Sequence, residues 1–282
     1  MISHTAKITI VGLGLLGGSY AKGFFQAGYP VYGIDIDENA VEYAKKMHWV
    51  KDASTDPAFC EGSDIIISAL YPHTFIQWVK ENQAYFKPGT VLTDVTGIKR
   101  EVISEIGSFL RKDVEYIACH PMAGREYKGI RYADCSLFKK ANFIIVPSKE
   151  NTERAIGVAE DIANILKFRK VSVLSPEEHD RVIGFVSQLT HVIAISLMNI
   201  GEDPKLVDYT GDSFRDLTRI ANINEDLWPE LFICNKDVLT EEIDRLIAKL
   251  KDYRDWIENE ETEKMRAGMI EASERRKLFG RK

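Results

Sequence analysis

The stretch Lys7-Ile-Thr-Ile-Val-Gly-Leu-Gly-Leu-Leu-Gly-Gly-Ser19 decides the fold of this chain. Its apolar run, Ile8–Val11, predicts a buried parallel strand, and residues 19–26 predict the helix that follows. The turn between them contains three glycines, Gly12, Gly14 and Gly17. In a turn of this kind the glycines permit a tight bend, close approach of a phosphate and close helix packing. The helix N-terminus adds unpaired N–H groups, so the turn is suited to a pyrophosphate.

A second apolar run, residues 31–34, ends at Asp35, which lies 18 residues after Gly17. This spacing is typical of a carboxylate that binds the ribose hydroxyls of NAD, and that would repel the 2′-phosphate of NADP. No basic residue follows Asp35 before Lys45, so the sequence favours NAD. The predicted cofactor-binding residues are Gly12, Gly14, Leu15, Leu16, Gly17, Asp35, Leu70 and Asp94.

The bulk composition excludes several classes of protein. The chain has 282 residues, 45% of them hydrophobic and 28% charged, which is ordinary for a globular protein of two domains. A formal net charge of −6 argues against nucleic acid as the main partner. The four cysteines are scattered without metal-ligand spacing, so we expect a reducing compartment and no metal site. We expect no membrane span and a cytoplasmic location.

The order of the predicted elements gives the fold class. Apolar runs alternate with helix-like segments in the first part of the chain, which predicts an α/β domain with a doubly wound, Rossmann-type sheet. The predicted strands are Ile8–Val11, Val31–Ile34, Asp64–Ala69, Val91–Val95, Tyr116–Ala118, Phe143–Val146 and Val171–Leu174. From Ser175, a predicted N-cap, only helices are predicted: Glu177–Met198, Trp228–Leu250 and Lys251–Lys277. We therefore predict domains at 1–174 and 175–282, the second all-α and forming a homodimer.

Three strand ends are expected to face the reactive part of a bound dinucleotide: residues 69–72, 94–99 and 119–124. His120 lies in the last of these, before Pro121, which predicts a loop position. An imidazole there can accept a hydroxyl proton while a hydride leaves the same carbon. A structural histidine bonded to the backbone is the equal alternative. The loop that follows carries a basic cluster, Arg125, Lys128 and Arg131. This cluster either binds a carboxylate or is simply solvated.

The helical half contains two further polar groups. Ser187 and His191 are four residues apart and share one helix face, either as a satisfied core pair or as ligand contacts. Arg219 and Asp216 lie on one short segment, where an arginine held by an aspartate can bind a carboxylate bidentately. The alternative is a surface ion pair of little energetic value.

Taken together, these segments resemble the prephenate dehydrogenase family, which includes arogenate dehydrogenases. The matching segments are Val11–Ser19, Asp94–Lys99, His120–Gly124, His179–Asp180, Thr190–His191 and Phe214–Ala221. The resemblance implies NAD-dependent oxidative decarboxylation of prephenate to 4-hydroxyphenylpyruvate in tyrosine biosynthesis. It implies that His120 takes the proton of the ring hydroxyl. Another two-domain β-hydroxyacid-type dehydrogenase and a non-catalytic NAD-binding sensor are the competing interpretations.

The resemblance also assigns substrate-binding residues. It implies that Arg219, steadied by Asp216, binds a substrate carboxylate and that His191 lines the same pocket, with Ser187 on its face. It matches Glu126 to an acidic pocket residue and Trp228 to an aromatic that in relatives reaches the neighbouring subunit's site. We expect a monofunctional enzyme, without a mutase or regulatory segment.

One position departs from the family pattern. Many relatives have serine where this chain has Gly97. Either Thr96 supplies that hydroxyl to the substrate or the contact is absent.

Overall fold

The computed structural model describes residues 1–124 and 127–280. Its centre is an eight-stranded sheet with the order β3-β2-β1-β4-β5-β6-β7-β8. All neighbouring strands are parallel except β6 and β7. The strands are β1 Ile8–Val11, β2 Val31–Ile34, β3 Asp52–Ser54, β4 Ile65–Ser68, β5 Val91–Asp94, β6 Glu115–Pro121, β7 Asn142–Val146 and β8 Lys170–Val173.

Helices pack on both faces of this sheet, and the described region after β8 is mainly helical. They are α1 Leu15–Gln26, α2 Glu38–Lys46, α3 Pro72–Asn82, α4 Arg100–Phe109, α5 Glu153–Ile165, α6 Pro176–Ile183, α7 Leu189–Ile200, α8 Asp212–Thr218, α9 Trp228–Cys234, α10 Lys236–Glu258 and α11 Thr262–Leu278. The predicted fold class, a Rossmann-type sheet followed by helices alone, is confirmed. All seven predicted strands are present, and the eighth, β3, is a short edge strand beside β2.

The glycine turn between β1 and α1 has the predicted form. Gly12 adopts a φ of +87°, and a Cβ atom there would lie 2.9 Å from Leu70 Cδ2. A Cβ atom on Gly17 would lie 1.7 Å from the carbonyl oxygen of Gly12, so only glycine fits. At Gly14 a Cβ atom would meet nothing within 4 Å, which leaves the backbone open to a ligand. Helix α1 begins at Leu15, before the predicted start at Ser19.

The helical region begins with the predicted cap. The Ser175 hydroxyl accepts a hydrogen bond from the Glu178 N–H, and the Glu178 carboxylate accepts one from the Ser175 N–H. This capping box starts α6, which continues through a π-helical turn, Gly184–Gln188, into α7. By length and composition alone, the segment Pro176–Ile200 would pass for a membrane span, which the sequence prediction overlooked. One helix of this kind is weak evidence for a membrane span, because the core helix of a globular protein can have the same length and composition.

The predicted helix Trp228–Leu250 is interrupted at Asn235, which separates α9 from α10. The side chain of Asn235 is buried and donates hydrogen bonds to the Asp180 carbonyl and to the Gln188 side chain. The residue therefore leaves the helical conformation. The predicted boundary at Leu250 was also wrong, because α10 continues to Glu258. The chain divides into two compact units, Met1–Asn235 and a helical hairpin from Lys236 onward.

A pair of glycine substitutions tests the turn. We expect Gly17→Ala to lower the free energy of unfolding by about 3 kcal/mol, because its methyl group overlaps the Gly12 carbonyl. Gly14→Ala is the matched control and should cost less than about 1 kcal/mol. Urea denaturation of both variants measures the difference. Equal losses would contradict this account of the turn.

Candidate active site

The candidate site lies at the carboxyl ends of the parallel strands, beside the glycine turn. His120 belongs to β6 rather than to the predicted loop. The strand continues to Pro121 because β7 pairs with it in antiparallel register, His120 opposite Ile144. The imidazole is therefore carried on a rigid element.

His120 is the first member of a chain of hydrogen-bonded side chains. Its Nδ1 lies 2.9 Å from Nε2 of His179, and Nδ1 of His179 lies 2.7 Å from Oδ1 of Asp180. Both His179 and Asp180 belong to α6 and are completely buried. The helical region thus supplies the partners of a histidine that the sheet carries.

This arrangement determines the tautomer of each neutral imidazole. The Asp180 carboxylate can only accept, so His179 donates from Nδ1 and accepts at Nε2. His120 must then donate from Nδ1, which leaves the lone pair of its Nε2 available as a base. Burial, and then the nearby His179 and Lys99, hold the pKa of His120 well below its usual value. Burial also lowers the pKa of His179, so both rings are neutral at pH 7.

Asp180 is held by backbone and side-chain donors on both oxygens. Its Oδ1 accepts from the Lys99 N–H at 2.9 Å, and its Oδ2 accepts from the Arg100 N–H at 2.9 Å and Arg100 Nε at 3.2 Å. Asn235 donates to the Asp180 carbonyl at 2.9 Å and accepts from Arg100 Nη2, also at 2.9 Å. Asn235 also donates to Gln188, which donates to the Leu231 carbonyl. This polar network joins the start of α4 to α6, the π-helical turn and α9.

A second buried polar group lies at the end of β5. The Asp94 carboxylate accepts from Lys99 Nζ at 2.5 Å and from Tyr116 OH at 3.0 Å, and it also bonds the Thr96 hydroxyl. The Cys119 N–H donates to the same carboxylate at 3.1 Å. Asp94, predicted to contact the cofactor, and Thr96, predicted to face the substrate, are thus both engaged within the protein. Their polar atoms support Lys99 and the β5 end.

Gly97 lies between the histidine base and the helical region. A Cβ atom at this position would lie 3.9 Å from His120 Cε1 and 3.5 Å from both Leu231 methyl groups. One turn before Leu231 on α9 is Trp228, whose ring centroid lies 3.7 Å from that of His191. Gly97 thus lies between His120 and α9, which carries the predicted substrate residue Trp228 beside His191.

The remaining substrate-binding predictions fall around α7 and α8. Ser187 is half-buried in the π-helical turn, and its carbonyl accepts from His191 Nδ1 at 2.8 Å. Arg219 is exposed and lies in the 3-10 turn that follows α8. This turn packs against α7. Among the described residues, the arginine–aspartate pair of this segment joins Arg215 to Asp212 at 3.4 Å. The pairing of Arg219 with Asp216 stays a prediction.

The basic cluster after His120 is only partly described. Arg125 and Glu126 lie outside the described residues. Lys128 is exposed and pairs with Asp226 at 3.0 Å and Glu225 at 3.4 Å, and Arg131 is exposed. Lys128 therefore forms ion pairs with the segment that precedes α9.

The predicted cofactor residues line the ends of β1, β2 and β4. Asp35 follows β2, and its carboxylate accepts from the Leu13 N–H at 2.5 Å and the Asp37 N–H at 2.9 Å. Leu15 and Leu16 form the first turn of α1, and Leu70 contacts Gly12 after β4. The open backbone at Gly14, the helix N-terminus and Asp35 fit a dinucleotide.

The sequence alone did not indicate that His179, Asp180 and Lys99 come together with His120. A signal was present, since His179-Asp180 and Lys99 lie in segments that matched the family. His179 and Asp180 belong to a capped helix and Lys99 precedes α4, so their positions in the sequence gave no reason to pair them with His120. The separation between His120 and His179 is 59 residues.

Comparisons with known proteins identify the family of this chain. The family model described as prephenate dehydrogenase, nucleotide-binding domain, matches residues 21–175, and the one described as prephenate dehydrogenase, dimerization domain, matches residues 175–271. Prephenate dehydrogenase of Bacillus subtilis is 28% identical over 269 residues, which cover 92% of this chain and 72% of that protein. Cyclohexadienyl dehydrogenase of Zymomonas mobilis is 27% identical, covering 90% and 89%.

A solved structure matches nearly the whole chain. Prephenate dehydrogenase from Aquifex aeolicus, in complex with hydroxyphenyl propionate and NAD+, superimposes with a TM-score of 0.90 at 26% identity and covers 99% of both chains. The fold and the site define a nicotinamide-nucleotide-dependent dehydrogenase with a histidine at its strand ends. More specifically, the chain belongs to the prephenate dehydrogenase family.

The lowered pKa of His120 predicts a pH dependence of stability. Below the usual pKa of 6.5 the unfolded chain takes up a proton at His120 before the folded chain does. The free energy of unfolding should therefore fall as pH decreases from about 6.5, by at most about 1.4 kcal/mol per pH unit for this proton. His120→Asn should show a shallower fall between pH 7 and 5 in urea denaturation. An unchanged slope would contradict a lowered pKa.

Proposed function

We propose that this protein is an NAD-dependent prephenate dehydrogenase that converts prephenate to 4-hydroxyphenylpyruvate and CO₂. The observation that carries this proposal is the ordered chain Asp180, His179 and His120, which leaves a neutral base at His120 Nε2. The A. aeolicus relative, with NAD+ and hydroxyphenyl propionate in its structure, supports the same chemistry.

The glycine turn and Asp35 hold the cofactor in this proposal. The backbone at Gly14 and the N-terminus of α1 bind the pyrophosphate, and Asp35 binds the adenosine ribose. Gly12 and Gly17 give the turn its shape. Bound NAD supplies a hydride acceptor. We retain Leu15, Leu16 and Leu70 as neighbours of the bound dinucleotide.

His120 acts as the general base. Its Nε2 accepts the proton of the substrate's ring hydroxyl as the hydride leaves the same carbon. The imidazolium that forms keeps its Nδ1–H hydrogen bond to His179, and the buried charge of Asp180 stabilises it. Cleavage of the bond to the ring carboxylate releases CO₂, and its electron pair completes the aromatic ring as a phenolate. The His120 imidazolium then returns the proton to the phenolate oxygen, which gives the phenol and restores the neutral base. The protein's task is mainly to orient the hydroxyl and to bind a dianion.

The helical residues bind the carboxylates. We propose that the Arg219 guanidinium binds one of them bidentately, with His191, Ser187 and Trp228 lining the pocket. The contact of Trp228 with His191, and of neighbouring Leu231 with Gly97, supports a pocket that reaches His120. We retain Glu126 and Asp216 as further pocket residues. For Thr96 and Asp94 we propose a positioning role through Lys99, which leaves Gly97 without a substitute hydroxyl.

Arogenate is the second candidate substrate. It differs from prephenate by an amino group in place of a keto group, and the relatives include a cyclohexadienyl dehydrogenase. The same base and the same hydride transfer serve both substrates.

We also propose that the chain forms a homodimer through its helical part and works in the cytoplasm. The matching dimerization domain begins at residue 175, close to the proposed domain boundary at 174/175. Exposed apolar side chains along α6, α7 and the turn between them, Val182, Phe185, Val186 and Met198, support an interface with a second copy. The same apolar face accounts for the membrane-like composition of this segment.

Activity with defined substrates tests the proposal. The protein should form NADH from NAD with prephenate or arogenate, and it should prefer NAD to NADP. We expect His120→Asn to reduce kcat by about 10²–10⁴-fold with the fold intact, because the general base is lost.

His48→Asn is the matched control, because it makes the same change at an exposed histidine outside the site. It should retain the wild-type rate. Turnover of neither substrate by the wild-type protein would refute the function. A normal rate in His120→Asn would refute the role of this base.

Arg219→Lys tests the carboxylate site. An ammonium group cannot reproduce a bidentate contact, so we expect KM to rise at least about tenfold while the fold is retained. Arg215→Lys in the same segment, at an arginine paired with Asp212, should leave KM unchanged. Equal KM values in both variants would move the carboxylate contact to another residue.

A further inference from the structure

Three side chains with metal-binding atoms meet beside the Asp180 network, outside the proposed cofactor and substrate sites. They are His73 at the start of α3, Glu101 in the first turn of α4 and Cys234 at the end of α9. Their ligand atoms all lie within 4.8 Å of one another. The sequence predicts no metal site, because its cysteines lack metal-ligand spacing. The fold brings His73 to Glu101, 28 residues away, and to Cys234, 161 residues away.

The distances resemble those between the ligands of one tetrahedral ion. His73 Nε2 lies 3.3 Å from Glu101 Oε1 and 3.8 Å from Cys234 Sγ. In a tetrahedral Zn²⁺ site with ordinary bond lengths, nitrogen and oxygen ligands are about 3.4 Å apart and nitrogen and sulfur about 3.6 Å apart. Both distances from His73 Nε2 therefore fit such an ion closely, and the ligand atoms of Glu101 and Cys234 lie within 4.8 Å of each other.

A fourth residue orients the histidine. Glu230 Oε1 lies 3.1 Å from His73 Nδ1 and also accepts from the His73 backbone N–H. A carboxylate accepts the Nδ1 proton, so the lone pair of Nε2 points toward Glu101 and Cys234. Histidines that bind metals usually donate their other ring N–H to a carboxylate in this way.

We propose that His73 Nε2, the Glu101 carboxylate and the Cys234 thiolate bind a thiophilic divalent cation of the Zn²⁺ type, oriented by Glu230. Three protein ligands leave the fourth position to water. Burial, and then Glu101, raise the pKa of the Cys234 thiol to about 12, so the ion displaces the thiol proton when it binds.

A bound ion would stabilise the hydrogen-bond network around Asp180, which orients His120 through His179. Glu101 follows Arg100, which donates to Asp180, and Cys234 precedes Asn235, which bonds Arg100 and the Asp180 carbonyl. A cation between Glu101 and Cys234 therefore ties α4 to α9 next to the residues that hold Asp180. This is a structural site, and it does not depend on the proposed reaction. The competing state is the same cluster without an ion, in which His73 contacts Glu101 and Glu230 directly.

Binding of Co²⁺ to the full chain, first freed of metals with a chelator, distinguishes the two. We expect one equivalent of Co²⁺ to give a thiolate-to-cobalt charge-transfer band and tetrahedral d–d bands, both removed by Zn²⁺. Cys234→Ser should abolish the thiolate-to-cobalt band. His73→Gln should abolish the tetrahedral d–d bands. Glu230→Gln should weaken Co²⁺ binding by about 10–100-fold without abolishing it.

Cys135→Ser is the matched control, because it removes a partly buried thiol elsewhere in the chain and should keep the full spectrum. Circular dichroism of each variant checks that it is folded. In the wild type alone, Zn²⁺ should also raise Tm. Absence of the band at one equivalent, or a band that survives Cys234→Ser, would overturn the proposal and leave the metal-free contacts of His73 with Glu101 and Glu230 as the state of this cluster.

Discussion

The buried carboxylate of Asp180 is the constraint on which the rest of the site depends. It is completely shielded from water, and its two oxygens accept from His179, from the backbone N–H groups of Lys99 and Arg100, and from the Arg100 guanidinium. An uncompensated carboxylate at this depth would cost several kcal/mol, so these donors must remain in place together. One side chain thereby joins the end of the sheet to the first helix of the helical region and sets the hydrogen-bond direction of His179.

This constraint explains why His120 and its hydrogen-bond partners come from two parts of the fold. The sheet supplies a rigid position for His120, whereas α6 supplies the acceptor that determines its tautomer. Burial keeps both imidazoles neutral, which suits the proposed role of His120 as a base. The hydrogen-bonded chain from His120 to Asp180 therefore combines residues from both regions that match the two domain models.

Particular residues show how far sequence alone could go. The strands of the sheet centre were predictable because they are continuous apolar runs, whereas β3 has only three residues and one buried side chain. The helix boundary at Asn235 was missed because its cause is a set of hydrogen bonds to Asp180 and Gln188, which are distant in sequence. The carboxylate of Asp94 sits at a strand end, as a cofactor ligand would, yet it is turned inward to Lys99 and Tyr116.

By itself, the sequence determined the Rossmann-type class, the dinucleotide turn, the capped start of the helical region and the family. Each of these depends on short-range features: apolar periodicity, glycine stereochemistry, capping and motif order. Only the tertiary structure decided which polar atoms are engaged and which face a ligand. It paired His120 with His179 across 59 residues, enclosed the Thr96 hydroxyl, and gathered His73, Glu101 and Cys234. Those outcomes depend on packing between distant elements, which local sequence patterns do not encode.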